Sequence, residues 1–308
     1  MSVNHSTEYS HAHHEVHEGD PTRTFKLTTF FISIPICLVA IVVDLLLIFF
    51  ILKYRAFKTR GNYYIVNFCI CNIVFLATEH VVHLAMDLFF GGQIQSEWYC
   101  TFIQLENYFL DMCIVFVAGY AVDEYIVMIS SDYFLYMYKN GFKYIIGSIY
   151  LLHIVLAFIV SSVCFSSPRD IKFHISFIFV TIIYAICWAI VIKIKIECRK
   201  TKFKSNLYLM QAMSVTQFTL LFFLPLLFYY NVISIAERII TDDNLDVLRM
   251  LAFISEYLAY AATFALAYKL FKTNKFYRLA ICKIFCKNNS NLDFSRLDIL
   301  PEADIDKN

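Results

Sequence analysis

The sequence is short of charge. Only 17% of its 308 residues are Asp, Glu, Lys or Arg, where a soluble domain carries about 25%. Glycine and proline are scarce too, at seven and five residues, which argues against the interrupted helices that transporters build at their binding sites. The ten cysteines form no C-x-x-C pair, and most lie inside apolar stretches. They read as buried, inert thiols, and metal or redox chemistry is not expected. The chain has no glycine-rich phosphate loop, no pair of metal ligands within an apolar run, and no nucleophile with a base beside it. No catalytic activity and no cofactor are therefore expected. With 26 basic and 25 acidic residues neither sign predominates, and nucleic acid is not an expected partner. The first 24 residues contain no apolar run, so no cleavable signal peptide is expected and the first apolar segment serves as the targeting signal.

What is abundant is hydrophobic sequence, 59% of the chain, gathered into long runs with charge confined between them. A hydrocarbon core about 30 Å thick takes about 20 apolar residues per helical crossing. Seven such runs can be read: Leu27–Leu52, Tyr63–Phe89, Cys100–Ser130, Tyr144–Phe165, Phe173–Ile196, Leu207–Ile235 and Val247–Phe271. The expected fold is all-α, a seven-transmembrane helix bundle over 27–271 behind an extracellular tail, 1–26. A short amphipathic helix on the membrane surface is expected at 272–287, with Phe276, Leu279, Ala280 and Ile284 on one face and Lys275, Arg278 and Lys283 off it. The polar, acidic segment 288–308 is expected to be a disordered cytoplasmic tail.

Lys and Arg placement orients the bundle. Lys53, Arg55, Lys58 and Arg60 follow the first run, and Lys193, Lys195, Arg199, Lys200, Lys202 and Lys204 follow the fifth. The loop after the second run has no basic residue, and the loop after the sixth sets Glu237, Asp242, Asp243 and Asp246 against Arg238 and Arg249. The N-terminus is expected outside the cell and the C-terminus in the cytoplasm, with the plasma membrane as the location.

Ionisable groups at membrane depth are costly unless they face the bundle interior, and they mark function. Glu79 and Asp87 in the second run, Glu106 and Asp111 in the third, and Glu256 in the seventh all fall in the outer half. Converging, they would line an anionic cavity open to the outside and suited to a basic ligand. The alternative is that several pair with His80, His83 or backbone, or sit at the rim. Asp44 and Asn72 lie deeper and are expected to hydrogen-bond each other across a helix interface, in a structural role. In the tail, His11, His13, His14 and His17 are formally able to hold a metal, but read as a solvated cluster whose titration would make ligand contact pH-dependent.

Particular motifs add to this. Val122-Asp123-Glu124-Tyr125 resembles the V-D-R-Y that closes the third helix of rhodopsin-like G-protein-coupled receptors. Phe222-Phe223-Leu224-Pro225 resembles their C-W-x-P, and Phe264-Ala265-Leu266-Ala267-Tyr268 a decayed N-P-x-x-Y. Within that family the chemokine receptors look nearest. Lys53-Tyr54-Arg55-Ala56-Phe57-Lys58-Thr59 with Tyr64-Ile65-Val66-Asn67 resembles their first loop, and Ile254-Ser255-Glu256-Tyr257-Leu258-Ala259 their seventh-span stretch around a ligand-binding glutamate. A small, diverged chain rich in Phe, Tyr, Ile, Lys and Asn resembles the receptors captured by poxvirus-type DNA viruses.

The resemblance implies a receptor for a basic, chemokine-like protein or peptide, contacted by Glu256, Glu79, Asp87, Glu106, Asp111 and a sulfated Tyr9. It further implies a disulfide between Cys100 and Cys164, glycosylation at Asn4, palmitoylation at Cys282 and Cys286, and a receptor dimer in contact with membrane lipids. Asp123, Glu124, Tyr125, Pro225 and Tyr268 stand at the family's signalling positions. The departures matter as much. Glu124 reverses the charge of the arginine that engages the G protein, and the sixth-span tryptophan and seventh-span asparagine–proline are missing. Beside Asp123, Glu124 is expected to take a proton or a lysine partner from the basic segment 193–204, and G-protein coupling is expected to be weak or absent. Two other functions stay open: a seven-span transporter or channel using the buried carboxylates as a cation path, and a ligand-free modulator of host receptors acting by heteromerisation.

Overall fold

The computed structural model describes residues 21–78, 96–129, 132–166, 174–200, 207–233, 245–285 and 297. They are helical throughout, joined by short turns, with no strand among the described residues. In chain order the helices are α1 (Pro21–Lys53), α2 (Arg60–Ala77), α3 (Ser96–Ile129), α4 (Asp132–Ser166), α5 (His174–Lys200), α6 (Leu207–Phe228), α7 (Leu245–Tyr260), α8 (Ala262–Thr273) and α9 (Lys275–Phe285). A 3-10 turn, Arg55–Phe57, links α1 to α2, and a π-helical turn, Tyr229–Ile233, ends α6. Only Ala261 separates α7 from α8, and the hydrogen bond from Ala265 N to Ala261 O at 3.0 Å carries the chain across the break.

Five of the helices contain stretches long and apolar enough to cross a membrane: Phe31–Lys53, Gln104–Ile129, Gly141–Ser162, Ile178–Arg199 and Leu209–Asn231. Their outer faces are apolar. Phe31, Leu38 and Leu45 on α1, Leu151 and Phe158 on α4, and Ile182 and Ile186 on α5 are all at least half exposed. Soluble proteins do not leave so much contiguous apolar surface in water. The interior meanwhile holds Asp44, Asn72, Thr216, Thr219 and Thr263, each fully buried. Oil outside and hydrogen-bonding groups inside is the arrangement a bilayer selects, and the chain is a helical, membrane-embedded protein.

α3 is the hub. It packs against α2, α4, α5 and α6, while α1 touches α2, α7 and α8 and so closes the ring. The α2–α3 contact is tight because each helix offers a glycine to an aromatic ring of the other. A Cβ on Gly119 would lie 2.6 Å from Tyr64 Cε1, and one on Gly61 would lie 3.0 Å from Tyr120 Cε2. Tyr64 cannot swing away, because its ring also meets Phe142 edge-on at 5.4 Å. Overpacking a filled interface costs about 1–3 kcal/mol, so Gly119→Ala should lower thermal stability in detergent. Gly147→Ala, whose added carbon meets nothing within 4 Å, should leave it unchanged.

At one end of the bundle the link between α1 and α2 is fixed in place. Thr59 caps α2 by accepting from Asn62 N at 3.3 Å, and Asn62 Nδ2 donates back to Phe57 O at 2.9 Å. Tyr277 of α9 donates to Asn62 Oδ1 at 3.1 Å, and its ring lies 4.4 Å from that of Phe57. Burial pushes the Tyr277 phenol well above its ordinary pKa, so it remains a donor. Leu297, in the segment expected to be disordered, is fully buried within the hydrophobic core.

Candidate functional site

Of the five carboxylates expected to converge, two lie near each other. Glu106 on α3 and Glu256 on α7 lie close enough for their charges to repel. Glu106 is 7% exposed, and its Oε1 has no hydrogen-bond partner among the described residues. Glu256 accepts from the Tyr230 hydroxyl at 3.1 Å. Tyr230 stands in the π-turn, and the extra residue of such a turn alters the direction in which side chains leave the helix. One uncommitted carboxylate oxygen beside a second acid is a place for an ammonium or guanidinium group. Asp111 points elsewhere. Five residues beyond Glu106, it sits well round the helix, with Tyr108 and Cys187 of α5 as neighbours, and its Oδ1 has no partner among the described residues. Glu79, Asp87 and Tyr9, with His80, His83 and the tail histidines, lie outside the described residues, as do Asn4 and Cys286. So do the side chains of Cys100 and Cys164. The thiol of Cys282 is free and half-buried on α9.

Deeper in the bundle Asn72 Nδ2 donates to Asp44 Oδ2 at 2.7 Å and to Thr263 Oγ1 at 2.6 Å. The Thr263 hydroxyl lies 3.2 Å from Asp44 Oδ2. All three residues are wholly buried, so α1, α2 and α8 are joined through one polar knot. Asn72 Oδ1 has no hydrogen-bond partner among the described residues.

The C-terminal end of α3 is tied outward in two directions. Asp123, 2% exposed, faces Arg60 at the start of α2, with Nε 3.8 Å from Oδ1. The Arg60 charge also acts on Glu124, whose Oε1 would lie 3.0 Å from a Cβ on Gly61. A cation at this acidic pair is Arg60; the sequence reading offered a proton or a lysine from segment 193–204, of which Lys195 donates to Gln217 Oε1 at 2.7 Å and 201–206 lie outside the described residues. The reason is distance along the fold: the glycine contacts bring the start of α2 against Asp123 and Glu124. Tyr125 donates in the other direction, to Glu197 of α5. Tyr268 is 54% exposed and accepts from Lys272 at 3.2 Å, so it faces out of the bundle. Pro225 lies within α6, one turn before the π-turn.

Arg60, Glu197, Tyr230 and Thr263 escaped the sequence reading. Arg60 was counted with its neighbours as loop charge, although Thr59 before it is a helix-capping residue that sets it on the first turn of α2. Glu197 stood as a lone acid in a basic stretch, which was itself a signal. Tyr230 and Thr263 carry no signal, because tyrosine and threonine are ordinary inside apolar spans.

Among known proteins no family model matches the chain, and no curated protein matches it either.

Proposed function

We propose that the chain is a seven-span, chemokine-receptor-like protein of the plasma membrane that binds a basic protein or peptide and couples weakly or not at all to G proteins. The observation that carries this is the nearness of Glu106 to Glu256, close enough for their charges to repel, with Glu106 Oε1 lacking a hydrogen-bond partner among the described residues. A buried acid pair is unfavourable alone and favourable once a cation enters, which is what a receptor for a basic ligand requires. In this reading α2 and the α7–α8 pair supply the two crossings beyond the five long apolar helices. The N-terminal tail lies outside and α9 lies along the inner surface, with ligand capture or modulation of host receptors as the working activity.

The test is binding of labelled basic chemokines to cells expressing the chain, wild type against Glu256→Gln. Loss of the charge with little change of shape should weaken binding by more than about threefold, roughly 0.6 kcal/mol; a smaller change removes Glu256 from the ligand site. Orientation is checked separately. A tag at residue 2 should stain intact cells, and a tag after Asn308 only permeabilised ones. Staining of the C-terminal tag on intact cells would overturn the topology and the receptor reading with it.

A further inference from the structure

One leucine stands where the hydropathy pattern puts no core residue. Residues 288–308 carry Asp293, Asp298, Glu302, Asp304 and Asp306 against Arg296 and Lys307, a composition that builds no core of its own. Yet Leu297, from the middle of that stretch, has no exposed surface and belongs to the same hydrophobic core as Phe57, Tyr277 and Ala280. A solvated tail would leave this side chain in water, and burial is the favourable direction. Phe294 and Leu300 stand three residues to either side of it, a spacing that sets apolar groups on one side of a helical turn.

The end of the bundle at which Leu297 enters follows from the chain. α9 ends at Phe285, and the stretch from there to Leu297 spans at most about 40 Å. Residues 286–296 contain no apolar run able to cross a bilayer. Leu297 therefore enters from the side of α9, which the Tyr277–Asn62 hydrogen bond and the Phe57 ring contact fix to the α1–α2 link. That end is rich in cations. Lys53, Arg55 and Lys58 follow α1, and Lys275, Arg278 and Lys283 stand on α9, with no acid within 53–62 or 272–287. Asp298 follows directly on a residue inside the core, about 3.8 Å away from Cα to Cα. Attraction does not require any of these cations to lack another partner, because an acidic segment anchored among basic ones gains from their summed field.

We propose that this end of the bundle is a binding site for an acidic peptide with a leucine anchor, filled by the chain's own segment 288–308. Leu297 seats in the core, and the acids on either side of it lie against the basic residues of 53–60 and 272–283. The tether gives the segment a high effective concentration at the site, so one apolar anchor and a few screened charges keep it seated. The consequence is occupancy: anything else that binds at this end must first displace 288–308. The docking stands apart from the receptor reading, since it needs only that α9 and the α1–α2 link share one end of the bundle.

The full wild-type chain in nanodiscs is compared by hydrogen-exchange mass spectrometry with a free synthetic peptide of residues 288–308. The amides of 294–300 should exchange at least about tenfold more slowly in the chain than in the peptide. That protection should fall as salt is raised from about 50 to about 500 mM. A fluorescent form of the same peptide is then added in trans. It should bind the full-length Leu297→Asp chain, whose own segment has left the site, at least about tenfold more tightly than the wild type, where the tethered segment competes. Exchange in the wild type as fast as in the free peptide would overturn the proposal without any variant. Equal binding of the peptide to the two chains would also overturn it, as would protection indifferent to salt, since the ligand would then be apolar and not acidic.

Discussion

Asn72→Leu is expected to lower the stability of the bundle by about 3 kcal/mol, read as unfolding in detergent, the largest stability effect anticipated for a single substitution here. Hydrogen bonds between membrane helices average only about 0.6 kcal/mol in double-mutant cycles, but those values describe groups that can find other partners. Asp44 is wholly buried, and the change removes the amide that donates to it at 2.7 Å. Thr263 and the Cys69 thiol would be left as the carboxyl's partners, and leaving a buried acceptor short of its donor costs about 1–3 kcal/mol, more for a charged group. Asp44→Leu/Asn72→Leu should be milder than Asn72→Leu, since no carboxyl is left short of its amide donor and only the Thr263 hydroxyl loses its partners. Asp44→Asn/Asn72→Asp should recover most of the loss, because it exchanges donor and acceptor across the same interface. An Asn72→Leu protein within about 1 kcal/mol of wild type would mean that the knot does not hold α1, α2 and α8 together.

The second large effect concerns output. Cells expressing the wild-type chain should show no second-messenger response above background, basal or ligand-driven, and Glu124→Arg should produce one. The wild-type C-terminal end of α3 is held by Arg60 on one side and by Glu197 on the other. On the proposed receptor reading, Glu124 stands where such receptors carry the arginine that turns toward the G protein. Here the positive charge comes from α2, and it is turned inward onto Asp123. Glu124→Arg adds a cation beside Arg60, so the two compete for Asp123, the α2–α3 tie weakens, and one guanidinium is released from the acid. Adding Arg60→Gln should raise the response further. Robust signalling by the wild type would sink the idea, and silence of both variants would mean that the acidic pair is not what blocks coupling.

Legibility in the sequence followed hydropathy. The long helices were marked by the length of their apolar runs, but their ends were not. α4 begins at Asp132, while its apolar run starts only at Tyr144, because Tyr138, Lys139 and Asn140 can be helical without being lipid-soluble. Hydropathy reports the solvent of a residue, and helicity continues past the bilayer into water. The Asp44–Asn72 contact could be anticipated from two polar groups at matching depth, which need each other. Thr263 could not, since a hydroxyl among alanines is unremarkable until the fold brings it to Asp44. Arg60 shows the opposite failure: as one charge among several it pointed to the inner side, and its particular partner became visible only when Gly61 and Gly119 closed the α2–α3 interface.

The π-turn at Tyr229–Ile233 has a genetic consequence. Such a turn holds one residue more than the α-helix needs, and in an α-helix each residue advances the chain by about 100° around the axis. Its presence makes the direction in which Tyr230 leaves the chain depend on a single codon. Deleting one residue from that turn would let the helix run on regularly, and Tyr230 would rotate away from Glu256. The same deletion on the lipid-facing side of α4 would shift side chains among equivalent apolar surroundings. Tolerance to single-codon deletion should therefore be sharply uneven along this chain, lowest at a place where no individual substitution looks severe.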